Sequence, residues 1–390
     1  MQQETKSTLL WSLLAISIVL VLIKYPEQSF QAALEGLKVW WDIVLPALLP
    51  FFILADILMG LGAVSFLGTL LEPLMRPLFN VAGEGAFAFA MGLASGYPLG
   101  ARISAELYRR GLCSRTETER LICFSNTADP IFMIGAVAVG MFENASVGLA
   151  IVASHYLSAI ILGVMLSFLE KRPTQKRTKK PISVLKKAWQ KMLVARKQDG
   201  RSFGDILGDS VSAAVDSLFK IGGFIIFFSV LIRLMELIGL AGLLAQAIDF
   251  ILIPILKTSL SKPLIGGFLE ITIGCQLAAA SQANLVNKLA ITSFIIAWSG
   301  LSVHGQVATM IQGTDLRMGL FLKSRIVHAL LAFLLTPLFV KVFPLSLPVW
   351  SGSQTTAGSF AILAIVIVVS LLIAIVIDTL QKAKITWLRW

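Results

Sequence analysis

The chain has 390 residues, 56% of them hydrophobic and only 14% charged, with a formal net charge of +11. An average soluble domain carries about 25% charged residues, so a water-soluble enzyme or binding module is excluded. Cys113, Cys123 and Cys275 form neither an even disulfide set nor a metal spacing and read as small buried hydrophobes.

In chain order, the apolar run Leu9 to Ile23 lacks a small-residue cleavage site before Lys24. It reads as a retained anchor helix within residues 1–27. A first membrane unit follows at 28–170. It holds an opening helix near 28–60, a Pro-interrupted segment at 63–79 and a Gly-rich segment at 83–110. A helix broken in its middle (118–142) and a long closing helix (145–169) complete it.

The linker, 171–203, carries the charge. Residues 171–201 hold twelve Lys and Arg side chains against Asp199, so 12 − 1 = +11 and the rest of the chain is neutral. A basic segment beside membrane helices is expected on the cytoplasmic side. Within it Ile182, Leu185, Trp189, Met192 and Leu193 recur at helical spacing among Lys186, Lys187, Lys191 and Arg196. That pattern predicts an amphipathic helix on anionic lipid; nothing else in the chain reads nucleic acid.

The second unit, 204–342, has the same parts in the same order, at 206–235, 240–257, 262–287, 288–313 and 317–340. Residues 343–390 supply an uncharged external loop, a last helix near 360–377 and a basic tail with Lys382, Lys384 and Arg389, expected to be cytoplasmic.

The halves echo one another residue by residue. Phe51-Phe52 returns as Phe227-Phe228 after 176 positions, Glu72…Pro77 as Asp249…Pro254 after 177, and Ser154-His155 as Ser324-Arg325 after 170. Closing helix 145–169 must end at the linker, and its counterpart must run the other way to reach the external loop. The expected fold is therefore an all-α polytopic membrane protein with two inverted repeats, re-entrant hairpins and broken helices, plus an extra helix at each terminus. Such repeats build a central binding site from discontinuous helices.

Candidate site residues fall at the interruptions. In Gly92-Leu-Ala-Ser-Gly-Tyr-Pro-Leu-Gly-Ala-Arg102, the residues Ser95, Gly96, Tyr97 and Pro98 interrupt helical flanks. Gly costs roughly 1 and Pro roughly 3 kcal/mol inside a helix. Segments 86–107 and 264–287 read as re-entrant hairpins, with kinked spanning helices as the other option. The first break places Ser125, Asn126, Thr127 and Asp129 directly before Pro130; the second places Ser299, Ser302 and His304 around Gly300. Arg102 is the candidate anion contact of the first hairpin, and Glu270, Thr272 and Gln276 make the second hairpin polar. Asp129 and Glu270 are candidates for a coupling proton or cation, or for locking Arg102. His155 reads as a satisfied helix contact. No Gly-x-Ser-x-Gly, P-loop or His-Glu-x-x-His occurs, so no enzyme, cofactor or metal site is expected.

The two-half plan, the 92–102 hairpin and the Phe-Ser-Asn-Thr-Ala-Asp-Pro break at 124–130 resemble the YlbJ (SpoVV) family of sporulation integral membrane proteins. That family belongs to the nucleoside-recognition, or Gate, group, which includes parts of concentrative nucleoside transporters. The resemblance covers about residues 30–340. It implies a transporter of dipicolinic acid in the outer forespore membrane of endospore-forming bacteria. A dianionic planar ring suits half-helix N-termini, hydroxyls and one or two cations. A non-transporting assembly protein of the forespore and a nucleoside or nucleobase carrier are the alternatives, and a homo-oligomer is left open.

Overall fold

The computed structural model describes residues 2–170 and 184–343, and every regular element among them is helical. The expected last helix, the basic tail, the external loop beyond Phe343 and the first part of the linker lie outside the described residues. After α1 (Gln2–Lys24) come α2 (Pro26–Val39), a π-helical segment π1 (Trp40–Val44) and α3 (Leu45–Gly60), then α4 (Ala63–Phe79). Next are α5 (Gly85–Ser95), α6 (Leu99–Arg109), α7 (Arg115–Ser125), a second π segment π2 (Ile131–Met141) and α8 (Ser146–Ser167). Linker helix α9 (Val184–Asp199) leads to α10 (Phe203–Leu237), α11 (Leu240–Leu256), α12 (Ser261–Leu269) and α13 (Ile271–Ala280). The half closes with α14 (Leu285–Trp298), α15 (Gly300–Met310) and α16 (Met318–Val342).

The echo seen in the sequence has a backbone cause. Both α4 and α11 are 17-residue helices. Each opens on a left-handed glycine, Gly62 at φ +85° and Gly239 at φ +77°. Each closes on a left-handed residue, Asn80 at φ +53° and Lys257 at φ +55°. Left-handed backbone is cheap only for Gly and, less so, Asn, so these stops cut two equivalent helices at equivalent places.

Like elements of the two halves run in opposite directions. Residue Gly36 lies against Ser229, Trp40 Nε1 donates to the Leu218 carbonyl at 3.0 Å, and Gly60 lies against Ile206. The continuous α2–π1–α3 rod therefore pairs antiparallel with α10 along its length. The closing helices behave alike. Leu162 and Leu166 cluster with Phe321, His155 faces His328, and Val147 and Ile151 cluster with Phe333. These directions fit the expected inverted plan.

The face where α8 ends and α9 begins is here termed the linker side. Helix α4 begins and ends on it. Gly62 abuts the Met192 main chain of α9, and Asn80 Nδ2 donates to the Glu170 carbonyl at 3.2 Å, just beyond α8. With α4 bent by 83° from α3 and strongly amphipathic in sequence, it lies along the surface rather than crossing. Four helical stretches among the described residues are long and apolar enough to span a bilayer, or up to six if each bent pair counts as one span. They are Ser146–Ser167, Phe203–Leu237, Leu285–Met310 and Met318–Val342.

The Gly-rich segments are hairpins. Helix α5 descends from the linker side, turns at Gly96-Tyr97-Pro98, and α6 returns; α12 and α13 do the same from the far side around Glu270. An 11-residue leg is about 16 Å long, roughly half the hydrocarbon thickness. The legs touch through glycine. A Cβ on Gly92 or Gly100 would collide with the Ser125 carbonyl, and a Cβ on Gly274 would collide with Gly267.

Candidate functional site

At the first break, α7 stops at Ser125, residues 126–129 have no regular structure, Pro130 is already helical and π2 begins at Ile131. Pro130 enforces the break, because it lacks an N–H and crowds the preceding turn. Asp129 accepts the Phe132 N–H at 2.8 Å, so its carboxylate caps π2. Thr127 Oγ1 donates to the Gly92 carbonyl at 3.0 Å and Ser125 Oγ lies 3.3 Å from Ser104 Oγ, which glue the break to the hairpin. Tyr156 of α8 donates to the Leu93 carbonyl at 2.8 Å and sits 3.2 Å from the Ala128 carbonyl. Gly96, at φ +78°, lies directly against Asp129, where a Cβ would meet Oδ2 at 2.8 Å.

At the second break, Ser299 and Gly300 both adopt left-handed backbone, φ +72° and +70°. Two such residues in succession end α14 and restart the chain as α15. Glu270 accepts the Ile273 N–H at 3.0 Å and caps α13, with Thr272 Oγ1 at 3.4 Å. Ser299 Oγ donates to the Trp298 carbonyl at 2.6 Å. Two expectations are corrected here. Gln276 is exposed and faces away from the centre, because α13 turns that side outward. Neither Asp129 nor Glu270 locks Arg102; each carboxylate is taken up by its own helix N-terminus.

Sequence reasoning met Arg325 in the Ser-His/Ser-Arg echo and left it out of the site. It is fully buried on α16. Its Nη1 donates to the carbonyls of Asn126 at 3.1 Å and Ala297 at 3.4 Å, and its Nη2 to that of Cys123. The guanidinium lies over Phe321, 5.2 Å from the ring centre. It therefore ties together the C-terminal ends of both broken helices, where freed carbonyls concentrate negative potential. The equivalent position in the first half, His155, also serves a break: its Nε2 accepts the Ala128 N–H at 2.9 Å. His155 is a helix contact, as expected, with its Nδ1 buried and unpartnered. It is not isolated, since His328 packs on it at 4.8 Å between ring centres. The sequence signal for Arg325 was the Ser-His/Ser-Arg echo; what it could not show was that one arginine serves both halves.

Several expected residues converge as buried polar groups with unused capacity. Ser95 Oγ, Tyr97 Oη, both amide atoms of Asn126, Ser302 Oγ and both ring nitrogens of His304 are buried without a hydrogen-bond partner. Thr292 and Ser293, on α14, join them and were not anticipated. Aromatic rings surround His304: Trp298 at 4.5 Å and Phe321 at 5.3 Å. Buried polar atoms normally find partners, so this group of residues is the candidate site.

Four helix N-termini start in this central region. Those of π2 and α13, packed on each other through Met133, Val137, Ile271 and Cys275, are capped by Asp129 and Glu270. Those of α6 and α15, packed through Ala101, Ala105, Val303 and Val307, have no side-chain cap. One pair is neutralised from within; the other retains its positive dipole ends.

Arg102 lies elsewhere. One turn beyond the tip, its Nη2 donates to Asp56 of α3 at 2.6 Å, and its guanidinium lies 5.3 Å from the centre of the Phe52 ring. This ion pair forms part of the wall of a cavity of about 530 Å³ opening on the linker side between α3, α6, α10 and α15. Lys220 pairs with Asp216 at 2.7 Å on that same wall. Cys113, Cys123 and Cys275 are buried free thiols. No three His, Cys, Asp or Glu side chains among the described residues are grouped to hold a metal ion.

Hairpins that meet broken helices at a buried polar centre define an integral membrane protein of the discontinuous-helix class. Residues 42–170 match the family described as Gate, nucleoside recognition. Over 333 residues, 84% of this chain and 81% of the relative, the sequence is 41% identical to sporulation integral membrane protein YlbJ of Bacillus subtilis (strain 168). A second relative, an uncharacterized protein of Alkalihalophilus pseudofirmus, is 28% identical over 39% of this chain and 32% of its own. No solved structure matches. The chain belongs to the YlbJ family of integral membrane proteins.

Proposed function

We propose that this protein is a membrane transporter, not an enzyme, and that it carries a small organic anion through a midplane site between its two halves. The observation that carries this reading is the pair of uncapped N-termini of α6 and α15, set among unpartnered Tyr97, Asn126, Ser302 and His304. Uncapped N-termini together carry roughly one positive charge, and hydroxyl and amide groups supply directed hydrogen bonds. A static assembly protein has no use for unpaired polar groups in its interior, where each costs about 1–3 kcal/mol.

The named relative is a sporulation protein, so the cargo we propose is dipicolinate, moved across the outer forespore membrane during sporulation. Its planar ring would lie beside Trp298 and Phe321, and its carboxylates would take the α6 and α15 termini. Alternating access would move the hairpins and broken helices against the α3–α10 pair. The Gate description favours one other cargo, a nucleoside or nucleobase, which competition separates. Linker helix α9 leaves Leu185, Trp189 and Leu193 exposed in a stripe beside Lys186, Lys187 and Lys191. It would rest on anionic lipid of the cytoplasmic leaflet.

The test is dipicolinate uptake by vesicles holding the purified protein, beside the doubly substituted Asn126→Ala, Ser302→Ala variant. Uptake that collapses in the folded variant supports the site. Uptake by neither protein under pH or sodium gradients sinks the proposal.

A further inference from the structure

We infer that the linker-side cavity is a capture site for a carboxylate, in which Arg102 exchanges Asp56 for the transported anion. The inference rests on the transporter reading and adds to it a second anion site outside the midplane. Five cations and four acids line the cavity: Arg102, Arg109, Arg110, Arg201 and Lys220 against Asp56, Glu106, Asp209 and Asp216, so 5 − 4 = +1.

Three of the other cations are secured within their own element or its flank, and Arg109 is held by α15. Arg110 binds Glu106 at 2.7 Å, and Arg109 holds the Met310 carbonyl at 2.9 Å. Arg201 binds Asp199 and Asp209, both at 2.8 Å, and Lys220 binds Asp216. Arg102 differs. Its one acid is Asp56, bound through a single nitrogen, while Nη1 is buried and without a partner. A guanidinium presents a fork that holds a carboxylate through two nitrogens, so the present pairing uses half of it.

The location matters as much as the valence. Asp56 belongs to α3, which packs with α10, whereas Arg102 belongs to α6, which packs with α15. The ion pair joins α3 to the hairpin that the proposed alternating access would move. Arg102 also donates its main-chain N–H to Pro98, in the hairpin tip, at 3.0 Å. Arg102 thus lies one turn from the uncapped α6 terminus and lines the cavity wall. Side-chain exposures of 14% and 13% leave it reachable from the cavity but largely dry, where a carboxylate–guanidinium contact is strong. An arriving carboxylate that takes both nitrogens would release Asp56 and loosen α6 from α3 in one step.

A static tie and an exchangeable one differ in sign. Dipicolinate binding is measured by calorimetry on the full-length detergent-purified protein, with vesicle uptake alongside. Removing the competitor, Asp56→Asn, is expected to tighten binding about threefold, and Arg102→Gln to weaken it about tenfold, one charge-assisted bond. Combining Asp56→Arg with Arg102→Asp re-forms a pair and should restore thermal stability without restoring binding. Equal weakening by both single variants, with binding restored by the swap, would overturn the inference and leave the transporter reading standing. Wild-type protein that neither binds nor transports dipicolinate would overturn both.

Discussion

One guanidinium nitrogen of Arg325 reaches the main-chain oxygens of both Asn126 and Ala297, at 3.1 and 3.4 Å. These two residues lie 171 positions apart, at corresponding ends of the two broken helices. Each helix C-terminus carries about half a negative charge, so two of them balance one arginine without any carboxylate. Arg325→Met would leave three buried carbonyls unpaired, at about 1–3 kcal/mol each. The expected outcome is a protein several kcal/mol less stable, seen as a lowered unfolding temperature in detergent. Arg325→Lys keeps the charge but loses the fork and should fall between the two.

Glycines that face main chain are the next test. Gly92 and Gly100 both press on the Ser125 carbonyl, whereas Gly208 and Gly223, within α10, have open space where a Cβ would sit. Gly92→Ala or Gly100→Ala should prevent the α5–α6 hairpin from docking and abolish accumulation of folded protein. Gly208→Ala should be neutral or stabilise by about 0.5–1 kcal/mol, the helix-propensity gain. Accumulation on size-exclusion chromatography separates the cases.

Asp129 caps π2 through Phe132 N–H. Asn caps as well as Asp, so Asp129→Asn should retain wild-type stability to within about 0.5 kcal/mol, and Asp129→Ala should lose about 1 kcal/mol. Vesicle uptake then decides whether the carboxylate has a second role. Unchanged uptake in Asp129→Asn is expected from a pure cap, while loss of uptake in a folded protein would identify a coupling proton.

Outside the membrane-spanning segments, Asp315 accepts the Tyr108 hydroxyl at 2.5 Å and pairs with Arg115 at 3.2 Å. The Tyr108 hydrogen bond first, and Arg115 after it, hold this carboxylate below its ordinary 3.8. A depressed carboxylate stabilises the fold above the unfolded-state value and loses that effect as pH falls through the folded one. The stability gap between wild type and Asp315→Asn should therefore stay constant down to about pH 4 and close below it. Thermal unfolding across that range measures it.

Leu185, Trp189 and Leu193 are exposed on α9, while buried Ala188 faces α4 and Trp189 also meets Phe66 at 6.3 Å. Replacing Leu185 and Leu193 by Glu should leave the fold intact and reduce protection of the linker from protease in vesicles containing phosphatidylserine. Equal cleavage with and without anionic lipid in the wild type would remove the lipid contact.

Composition and periodicity alone determined the membrane class, the all-helical fold and the places where helices break. Those features are local: apolar run length, Pro130 and the net positive charge of the linker each act within a few residues. Only the tertiary structure decided which polar groups remain unpartnered. Thr127 looked like a ligand group and donates to Gly92; Asp129 and Glu270, candidates for a coupling proton or cation or for locking Arg102, cap their own helices and do not meet Arg102; Gln276 faces outward. Arg102 belongs to a cavity wall with Asp56, 46 positions earlier, and Arg325 belongs to both halves at once. The physical reason is that hydrogen-bond satisfaction is a property of the whole packed interior. A sequence displays each donor and acceptor, but only the fold determines which of them meet.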